Sequence, residues 1–288
     1  MKLRYIMVTI SIDPAICKHD GICVQVCPEA VFVQKDEKSV PDPLHDALCI
    51  SCGQCVAACP HDALTHSDFP KGSIRTIKKG VTPSFEQLMR LLRNRRSQRY
   101  FTSRPVREKE IQRIIEAARF APSALNSQST KYLVIQDVVL LTEISENAAE
   151  FLKQTITELR KIHKKEELEQ DHAFNVIAKK VSEVQDAGRD VFLHNASALV
   201  LFYSDRHASM GGINANLAVQ NALLAAETLG VGAFYSGFVL FAIRHNPEFK
   251  KILKIPDTCE IHAALALGYP KVKFKKWIER NPADITWR

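Results

Sequence analysis

The most explicit chemistry in this chain lies between Cys49 and Pro60, which read C-I-S-C-G-Q-C-V-A-A-C-P, four cysteines at C-x2-C-x2-C-x3-C-P spacing. Thiolate sulfur is a soft, strongly donating ligand, and three thiolates two residues apart let one tight loop wrap three irons of a cubane. In such runs the fourth cysteine, three residues on and followed by proline, ligates a different cluster, so the run implies a partner. The partner lies 32 residues upstream, where Cys17, Gly21, Cys23, Val24, Cys27 and Pro28 match Cys49, Gly53, Cys55, Val56, Cys59 and Pro60 position for position. At the same offset Cys52 meets Asp20, a carboxylate where the second thiolate belongs, so one site is abnormal at one iron. Asp20 also admits a plainer reading, as the ordinary acid of an Asp-Gly turn. Zinc accepts paired C-x2-C units, but its tetrahedral structural sites leave the third closely spaced thiolate without a role.

The two runs resemble those of the two-cluster bacterial ferredoxins, and the first resembles the members with aspartate at its second position. The resemblance implies that Cys17, Cys23 and Cys59 hold the first cluster, with Asp20 as a candidate oxygen ligand, and that Cys49, Cys52, Cys55 and Cys27 hold the second. For the second it implies a 4Fe-4S cluster. For the first it implies either a 4Fe-4S cluster with a labile iron at Asp20 or a 3Fe-4S cluster.

At 288 residues the chain exceeds one average domain, and seven of its eight cysteines precede residue 60 while Cys259 stands alone. Two domains are expected, 1–75 and 76–288, with the boundary in the Gly/Pro-punctuated stretch after Asp68. Cysteines at metal spacing argue against a disulfide framework and for a reducing, cytoplasmic setting. Ile6, Val8, Ile10 and Ile12 alternate with polar or flexible neighbours, which marks a half-buried strand and not a secretory signal. No later run has the length to cross a bilayer, so a soluble protein without a membrane partner is expected. Residues 1–72 carry six Lys/Arg against nine Asp/Glu and residues 73–288 carry 33 against 23, an acidic first part and a basic second. That balance suits docking of the first to redox partners and an anionic ligand on the second. Nucleic acid is not expected, because only Tyr100 and Phe101 interleave aromatics with the arginines.

In the second domain, Ser84 and Gln87 form a capping-box pattern that opens a helix with Phe85, Leu88, Leu91 and Leu92 on one face. Ile111, Ile114, Ile115 and Ala118 predict a second helix from near Arg107 to Ala121. Residues 132–135, 198–203, 232–239 and 261–267 read as strands, and residues 140–184 as a polar helical stretch with a solvated face. Residues 214–229 predict an Ala-rich helix, nearly apolar all round and hence central. Arg95, Arg96, Ser97 and Arg99 admit three readings: a solvated charge run, a nucleic-acid patch or a phosphate clamp of guanidinium forks with one hydroxyl. Gly230 and Gly232 follow a helix, so they read as its C-cap and turn and not as a dinucleotide fingerprint. His194 and His262 read as core histidines and Cys259 as a packing residue. No Ser/His/Asp or paired-carboxylate set appears, so no catalytic side chain is expected.

The R-R-S-x-R from Arg95, P-S-A-L-N-S-Q from Pro122, L-H-N-A-S-A-L-V-L-F from Leu193, the helix from Asn214 and A-L-G-Y-P from Ala266 stand in one order. Together they resemble the FMN-dependent nitroreductase family over nearly all of residues 84–288, and the whole chain resembles a ferredoxin-fused nitroreductase-family protein. The fold so implied is α+β: a small ferredoxin-like domain with two iron–sulfur clusters, then a nitroreductase-type domain with a mixed sheet flanked by helices. The resemblance implies that Arg95, Arg96, Ser97 and Arg99 hold the FMN phosphate, ribityl chain and ring edge. It implies that Pro122, Ser123, Ala124 and Asn126 reach the flavin from the other subunit of a homodimer. Ser236 and Gly237 match the place where a backbone N–H faces the flavin N5, and Lys276 with Arg280 matches a C-terminal basic pair near the phosphate. The family's Pro-Trp is replaced here by Ser129-Thr130, and its proline-rich C-terminal spacing by residues 275–280. The implied activity is that of an oxidoreductase passing electrons between the clusters and FMN to reduce a small nitroaromatic, quinone or similar substrate, with a ferredoxin-like donor or NAD(P)H. Its rivals are an electron carrier or docking protein without a substrate, and flow from flavin to ferredoxin.

Overall fold

The structure is a computed structural model that describes residues 8–78, 80 and 82–288, apart from the side chains of 185–187; the part of the N-terminal strand expected at Ile6 lies outside the described residues. The chain divides into two compact units, one running to Thr82 and including Leu125–Ser127, the other made of Pro83–Ala124 and Gln128–Arg288.

In the first unit the 32-residue repeat is a repeat of backbone conformation. Helices α1 (Ile22–Val26) and α2 (Gln54–Ala58) start at matched positions, behind Gly21 at φ 66° and Gly53 at φ 72°. Left-handed backbone of this kind carries no steric cost for glycine. His19 and Ser51, at φ 63° and 50°, and Ala30 and Asp62, at φ 50° and 53°, repeat the same turns. Strands β1 (Ile10–Ile12) and β2 (Leu64–His66) pair antiparallel, with Ile10 opposite His66, and join the two ends of the repeat. The core is small: Ile10, Val31, Phe32, Val56 and Leu64 pack with the buried Cys23 and Cys55.

The second unit is organised on a sheet of order β3-β4-β6-β5, from β3 (Lys131–Ile135), β4 (Ala198–Asp205), β5 (Gly232–Tyr235) and β6 (Cys259–Gly268). Its named strands pair antiparallel throughout, and the mixed character expected of the sheet is confined to one parallel bridge, Ser97 to Ala233. Alternate residues of β4 serve opposite faces: Leu199 and Leu201 join one core, Ala198, Val200 and Phe202 the other. Period-two alternation with apolar residues at both phases is what a strand covered on both sides requires. A register shift at Phe202/Tyr203 leaves His262 as the extra residue of β6, and its Nε2 lies 2.8 Å from the Ser204 hydroxyl in the interior.

Helices complete the two layers. Helix α3 (Phe85–Asn94) begins with the expected capping box, Ser84 Oγ accepting from the Gln87 N–H at 3.3 Å and Gln87 Oε1 from the Ser84 N–H at 2.9 Å. Helices α4 (Glu108–Ala118) and α8 (Gly211–Thr228) pack on one sheet face; α5 (Val138–Ile162), α6 (Lys165–Gln170), α7 (His172–Ala187), α9 (Gly237–His245) and α10 (Glu248–Ile252) enclose the core of the other. Two expectations are corrected. Residues 140–184 are not a merely solvated stretch, because α5 buries Leu141, Ile144, Ala148, Leu152 and Ile156 along one stripe. The strand expected over 232–239 ends at Tyr235, where Ser236 turns the chain and Gly237 starts α9; Val239 is fully buried in that helix. Helix α8 is central but not sheathed all round, since Ile213 and Leu217 remain exposed. At its end Gly230, at φ 68°, forms the expected C-cap turn.

Two close approaches fix the loop after α3. A Cβ on Gly268 would lie 2.6 Å from the Phe101 ring and one on Gly232 would lie 3.1 Å from it, so the two glycines are the floor on which Phe101 rests. Nearby, Arg107 and the Tyr269 hydroxyl both donate to the buried Glu110 carboxylate, tying the start of α4 to the end of β6. The Arg107 side-chain hydrogen bond leads the causes that hold the Glu110 carboxyl down at about 2, against an ordinary 4.5. A depressed carboxylate stabilises the fold fully above its unfolded value and loses that contribution as pH falls through its folded value. Glu110→Gln is therefore expected to cost about 1 kcal/mol at pH 7, modest because the guanidinium side is open to solvent. The difference from wild type, read by urea unfolding with far-UV circular dichroism, should narrow as pH falls from 4.5 towards 2.

Candidate functional site

In the first unit the metal-spaced residues sort into two cages. Cys27, Cys49, Cys52 and Cys55 surround one cavity, walled also by Ile10, Val31 and Phe32. Cys17, Cys23, Cys59 and Asp20 surround the other, with His61. Each cage thus takes three residues from one run and a cysteine from the other. Backbone geometry aims donors at the sulfurs: the N–H groups of His19, Ser51 and Val31 each lie 3.4 Å from the sulfurs of Cys17, Cys49 and Cys27. Among the described residues no three His, Cys, Asp or Glu side chains converge as ligands of a single ion. Donors spread around a cavity suit a multi-iron cluster, whose irons each meet one of them. Burial pushes the thiols of Cys23 and Cys55 up to about 11, so iron must displace the protons of these two thiols on loading.

Asp20 occupies the position of the missing thiolate and lines its cavity. Its Oδ1 accepts from the Ile22 N–H at 3.1 Å, while Oδ2 lies 3.5 Å from His61 Nε2. The turn reading and the cavity-lining position therefore hold together in one residue. Within the same unit Asn126, which the sequence assigned to a flavin, donates from Nδ2 to the carbonyls of Ile50 and Ser51 at 3.3 and 2.7 Å.

The second unit contains a cavity of about 610 Å³ beside the turn from β5 into α9. Arg99, Ser236 and Gly237 line it, so three of the twelve flavin-site residues read from the sequence meet there. Pairing carries them in. Gln98 N–H donates to the Ala233 carbonyl at 3.1 Å, which places Arg99 beside β5, its guanidinium 5.3 Å from the Phe234 ring. The Gln98–Ala233 bond and the Ser97–Ala233 bridge run side by side, so the segment after α3 lies along the sheet edge. Ser236 is buried, and its hydroxyl donates to the Phe192 carbonyl at 3.1 Å.

The remaining candidates lie elsewhere. Arg95 caps α3, and the Arg96 guanidinium donates to the Lys276 backbone carbonyl at 3.4 Å. Lys276 lines a separate cavity of about 470 Å³ with Asn94, Gln98 and Trp277. Arg280 stands in the exposed tail. The Ala124 N–H donates to the buried Asn214 Oδ1 at 3.1 Å, and Ser123 Oγ accepts from the Gln128 N–H at 3.0 Å; neither residue lines the 610 Å³ cavity, nor does Pro122.

Among the cavity-wall residues that the sequence reading did not place at the site are two basic side chains, Lys180 and His194. Lys180 reaches it from α7, with burial and then Arg99 pulling its ammonium below the usual lysine range. His194 lines it as well, at φ 56° and in edge contact with Phe234, its ring pushed down first by burial. An apolar neighbourhood made His194 look like a core residue, and nothing in a lysine-rich helix singles out Lys180. Among the described residues the wall holds the cations Arg99 and Lys180 and no Asp or Glu, together with Phe192, Phe234 and Phe238. Such a lining favours a flat, aromatic, anionic occupant.

Asp190 holds the segment that carries His194. Its Oδ1 accepts from the Phe192 and Leu193 N–H groups at 3.1 and 2.8 Å and from the Ser145 hydroxyl at 2.6 Å, and its Oδ2 from the Asn195 N–H at 2.8 Å. Asp190→Ala should cost about 2–3 kcal/mol, because several donors lose their acceptor at once. Asp190→Asn, which keeps one carbonyl oxygen, should cost less; thermal unfolding of the two variants checks the order.

Comparison with known proteins agrees with both halves. Residues 92–269 match the profile of the nitroreductase family, and residues 9–60 that of a 4Fe-4S dicluster domain. An FMN reductase [NAD(P)H] of Bacillus subtilis is 26% identical over 185 residues, 64% of this chain and 66% of its own. A ferredoxin 7Fe of Hydrogenibacillus schlegelii is 39% identical over 57 residues, 20% of this chain and 69% of its own. Among solved structures, a nitroreductase with bound FMN from Desulfitobacterium hafniense superposes with a TM-score of 0.53 at 21% identity, covering 69% of this chain and 96% of that one, a likeness of fold.

Proposed function

The chain belongs to the nitroreductase family and carries a 4Fe-4S dicluster domain ahead of it, and from that premise we propose that it takes single electrons into its clusters and delivers them through FMN to a small organic substrate, a nitroaromatic, quinone or similar acceptor. As an iron–sulfur flavoprotein oxidoreductase it relies on its cofactors for the chemistry: when bound, the clusters carry electrons singly and FMN exchanges them singly or in pairs. The observation that carries the reading is the 610 Å³ cavity, where Arg99 and Lys180 meet Ser236 and Gly237 at the turn into α9.

The residues divide the remaining work. Arg99 and Lys180 put positive charge on the cavity, which stabilises a flavin that gains negative charge on reduction. The backbone at Ser236 and Gly237 orients the ring, and Phe192, Phe234 and Phe238 keep water from its faces. Arg95, Arg96 and Ser97 hold the phosphate end, with Lys276 or Arg280 near it. Pro122, Ser123, Ala124 and Asn126 complete the site from a second copy in a homodimer. Exposed apolar residues support that assembly: Phe85, Leu88 and Leu92 on α3, and Ile213 and Leu217 on α8, leave apolar surface uncovered. Among the described residues no helix is long and apolar enough to cross a membrane.

In the first cage Asp20 supplies an oxygen ligand, harder and more weakly donating than thiolate, so the iron beside it leaves first on oxidation. Aerobic preparation is expected to give a three-iron EPR signal that Asp20→Cys removes; two four-iron clusters surviving air equally would refute this assignment.

A fused one-electron relay is superfluous for a flavin fed only by nicotinamide, and the acidic first domain resembles the docking face of small electron carriers, so reduced ferredoxin or a similar low-potential carrier is the better donor. Anaerobic stopped-flow with reduced ferredoxin, NADH or NADPH, following cluster and flavin bands separately, tests the order. Cluster bleaching is expected before flavin reduction with ferredoxin, and slow reaction with nicotinamides. Fast flavin reduction by NADH in a Cys49→Ser, Cys52→Ser variant would overturn this order, and an FMN-loaded protein inert towards added nitroaromatics and quinones would favour an electron carrier. Arg99→Ala should weaken FMN binding by about 1.5–3 kcal/mol, roughly 10- to 100-fold, in a fluorescence titration of the apoprotein. An FMN-replete monomer in sedimentation would exclude the shared site.

A further inference from the structure

We infer that His66 donates a hydrogen bond to the sulfur of Cys49 and thereby raises the reduction potential of the second cluster. The inference rests on the second cage holding an iron–sulfur cluster. His66 closes β2 and is 5% exposed, and its ring lines the cavity that Cys27, Cys49, Cys52 and Cys55 surround. Its Nδ1 faces the Asp68 backbone N–H at 3.1 Å. A backbone N–H only donates, so Nδ1 is the acceptor and the ring proton of the neutral imidazole sits on Nε2. Nε2 lies 3.5 Å from Cys49 Sγ, a distance suited to an N–H···S bond. The ring is held there by Phe69, its centroid 4.6 Å away, and a Cβ on Gly53 would stand 3.2 Å from that same phenyl ring. Position, tautomer and direction are thus all set by neighbours.

The internal repeat supplies a control within the molecule. Both cages receive the matching backbone donor, His19 N–H to Cys17 and Ser51 N–H to Cys49, each at 3.4 Å. The residue 32 positions before His66 is Gln34, and its Nε2 donates to the carbonyls of His19 and Ser39 at 3.1 and 3.0 Å. The side-chain donor to sulfur therefore distinguishes Cys49 from its counterpart Cys17. Reduction adds one electron to the cluster, breaks no bond and leaves the proton on Nε2. The added charge spreads onto the sulfurs, and a hydrogen bond to a more anionic acceptor is stronger. The donor thus stabilises the reduced state more than the oxidised one, which shifts the potential upward. His66 is a positioning and tuning residue, not a catalytic one.

The test is a mediated redox titration of the holoprotein followed by EPR, comparing wild type with His66→Phe, His66→Gln and Gln34→Leu. His66→Phe should lower the equilibrium constant for reducing the second cluster about tenfold, a fall of about 59 mV for one electron, with the first cluster's midpoint unmoved. His66→Gln, which retains an N–H, should recover part of the fall, and Gln34→Leu should leave the second midpoint in place. Iron and sulfide content is measured on each sample. A second cluster present in full in His66→Phe with an unchanged or higher midpoint overturns the inference. Should His66→Phe lose the cluster, wild type labelled with ¹⁵N-histidine decides: a ¹⁵N coupling to the reduced second cluster supports the bond, and its absence overturns it. A wild type without a second-cluster signal refutes the cage itself, a failure separate from that of His66.

Discussion

The antiparallel ladder between β4 and β6 is the constraint from which the second unit follows. Its residues alternate between two cores, so helices must cover both faces, and the α4/α8 layer and the α5/α7/α9 layer are the consequence. The ladder also sets where the cavity opens. β5 pairs with β6 as far as Tyr235, and the chain must turn at Ser236 because α9 packs back on the sheet. The segment that brings Arg99 is laid along the free edge of β5, and the space left by Gly232 and Gly268 admits the Phe101 ring that anchors it. A close-packed interior transmits such a requirement directly, since a single added methyl has nowhere to go.

The first unit obeys a different economy. A few aliphatic residues and two buried cysteines make up most of its core, too little apolar surface to hold so short a chain firmly. Metal ligation supplies the rest, because sulfurs drawn from both halves of the repeat become cross-links once iron is bound. Burial keeps the Cys23 and Cys55 thiols protonated, so iron loading at these two cysteines is coupled to proton release. The two cages repeat the same backbone turns and differ in side chains, among them Asp20 against Cys52 at the cavity wall and Gln34 against His66 behind it.

The cysteine runs were legible from spacing, whereas the joining of Cys27 to Cys49, Cys52 and Cys55 at one cavity, and of Cys59 to Cys17, Asp20 and Cys23 at the other, depends on the fold of the whole unit. Helices with strong local signals were legible too: the capping box at Ser84 and the C-cap at Gly230 need only their neighbours in sequence. The apolar stripe of α5 was obscured by the lysines and glutamates of its outer face, although its buried residues recur at helical spacing. The end of β5 was misplaced because Phe238 and Val239 are as fit for a strand as for a helix, and only packing on the sheet decides between them.

By itself, then, the sequence determined what depends on near neighbours: the four-cysteine run and its repeat, the substitution at Asp20, the uneven distribution of charge and cysteine along the chain, and the order of motifs that marks the family. Tertiary structure decided what depends on distant residues meeting. Lys180 and His194 join Arg99 at one cavity across more than eighty residues of chain, and His66 reaches the Cys49 sulfur only because β1 and β2 pair. No spacing rule foretells such meetings, because side chains far apart in sequence are brought together by the burial of surfaces to which they contribute little themselves.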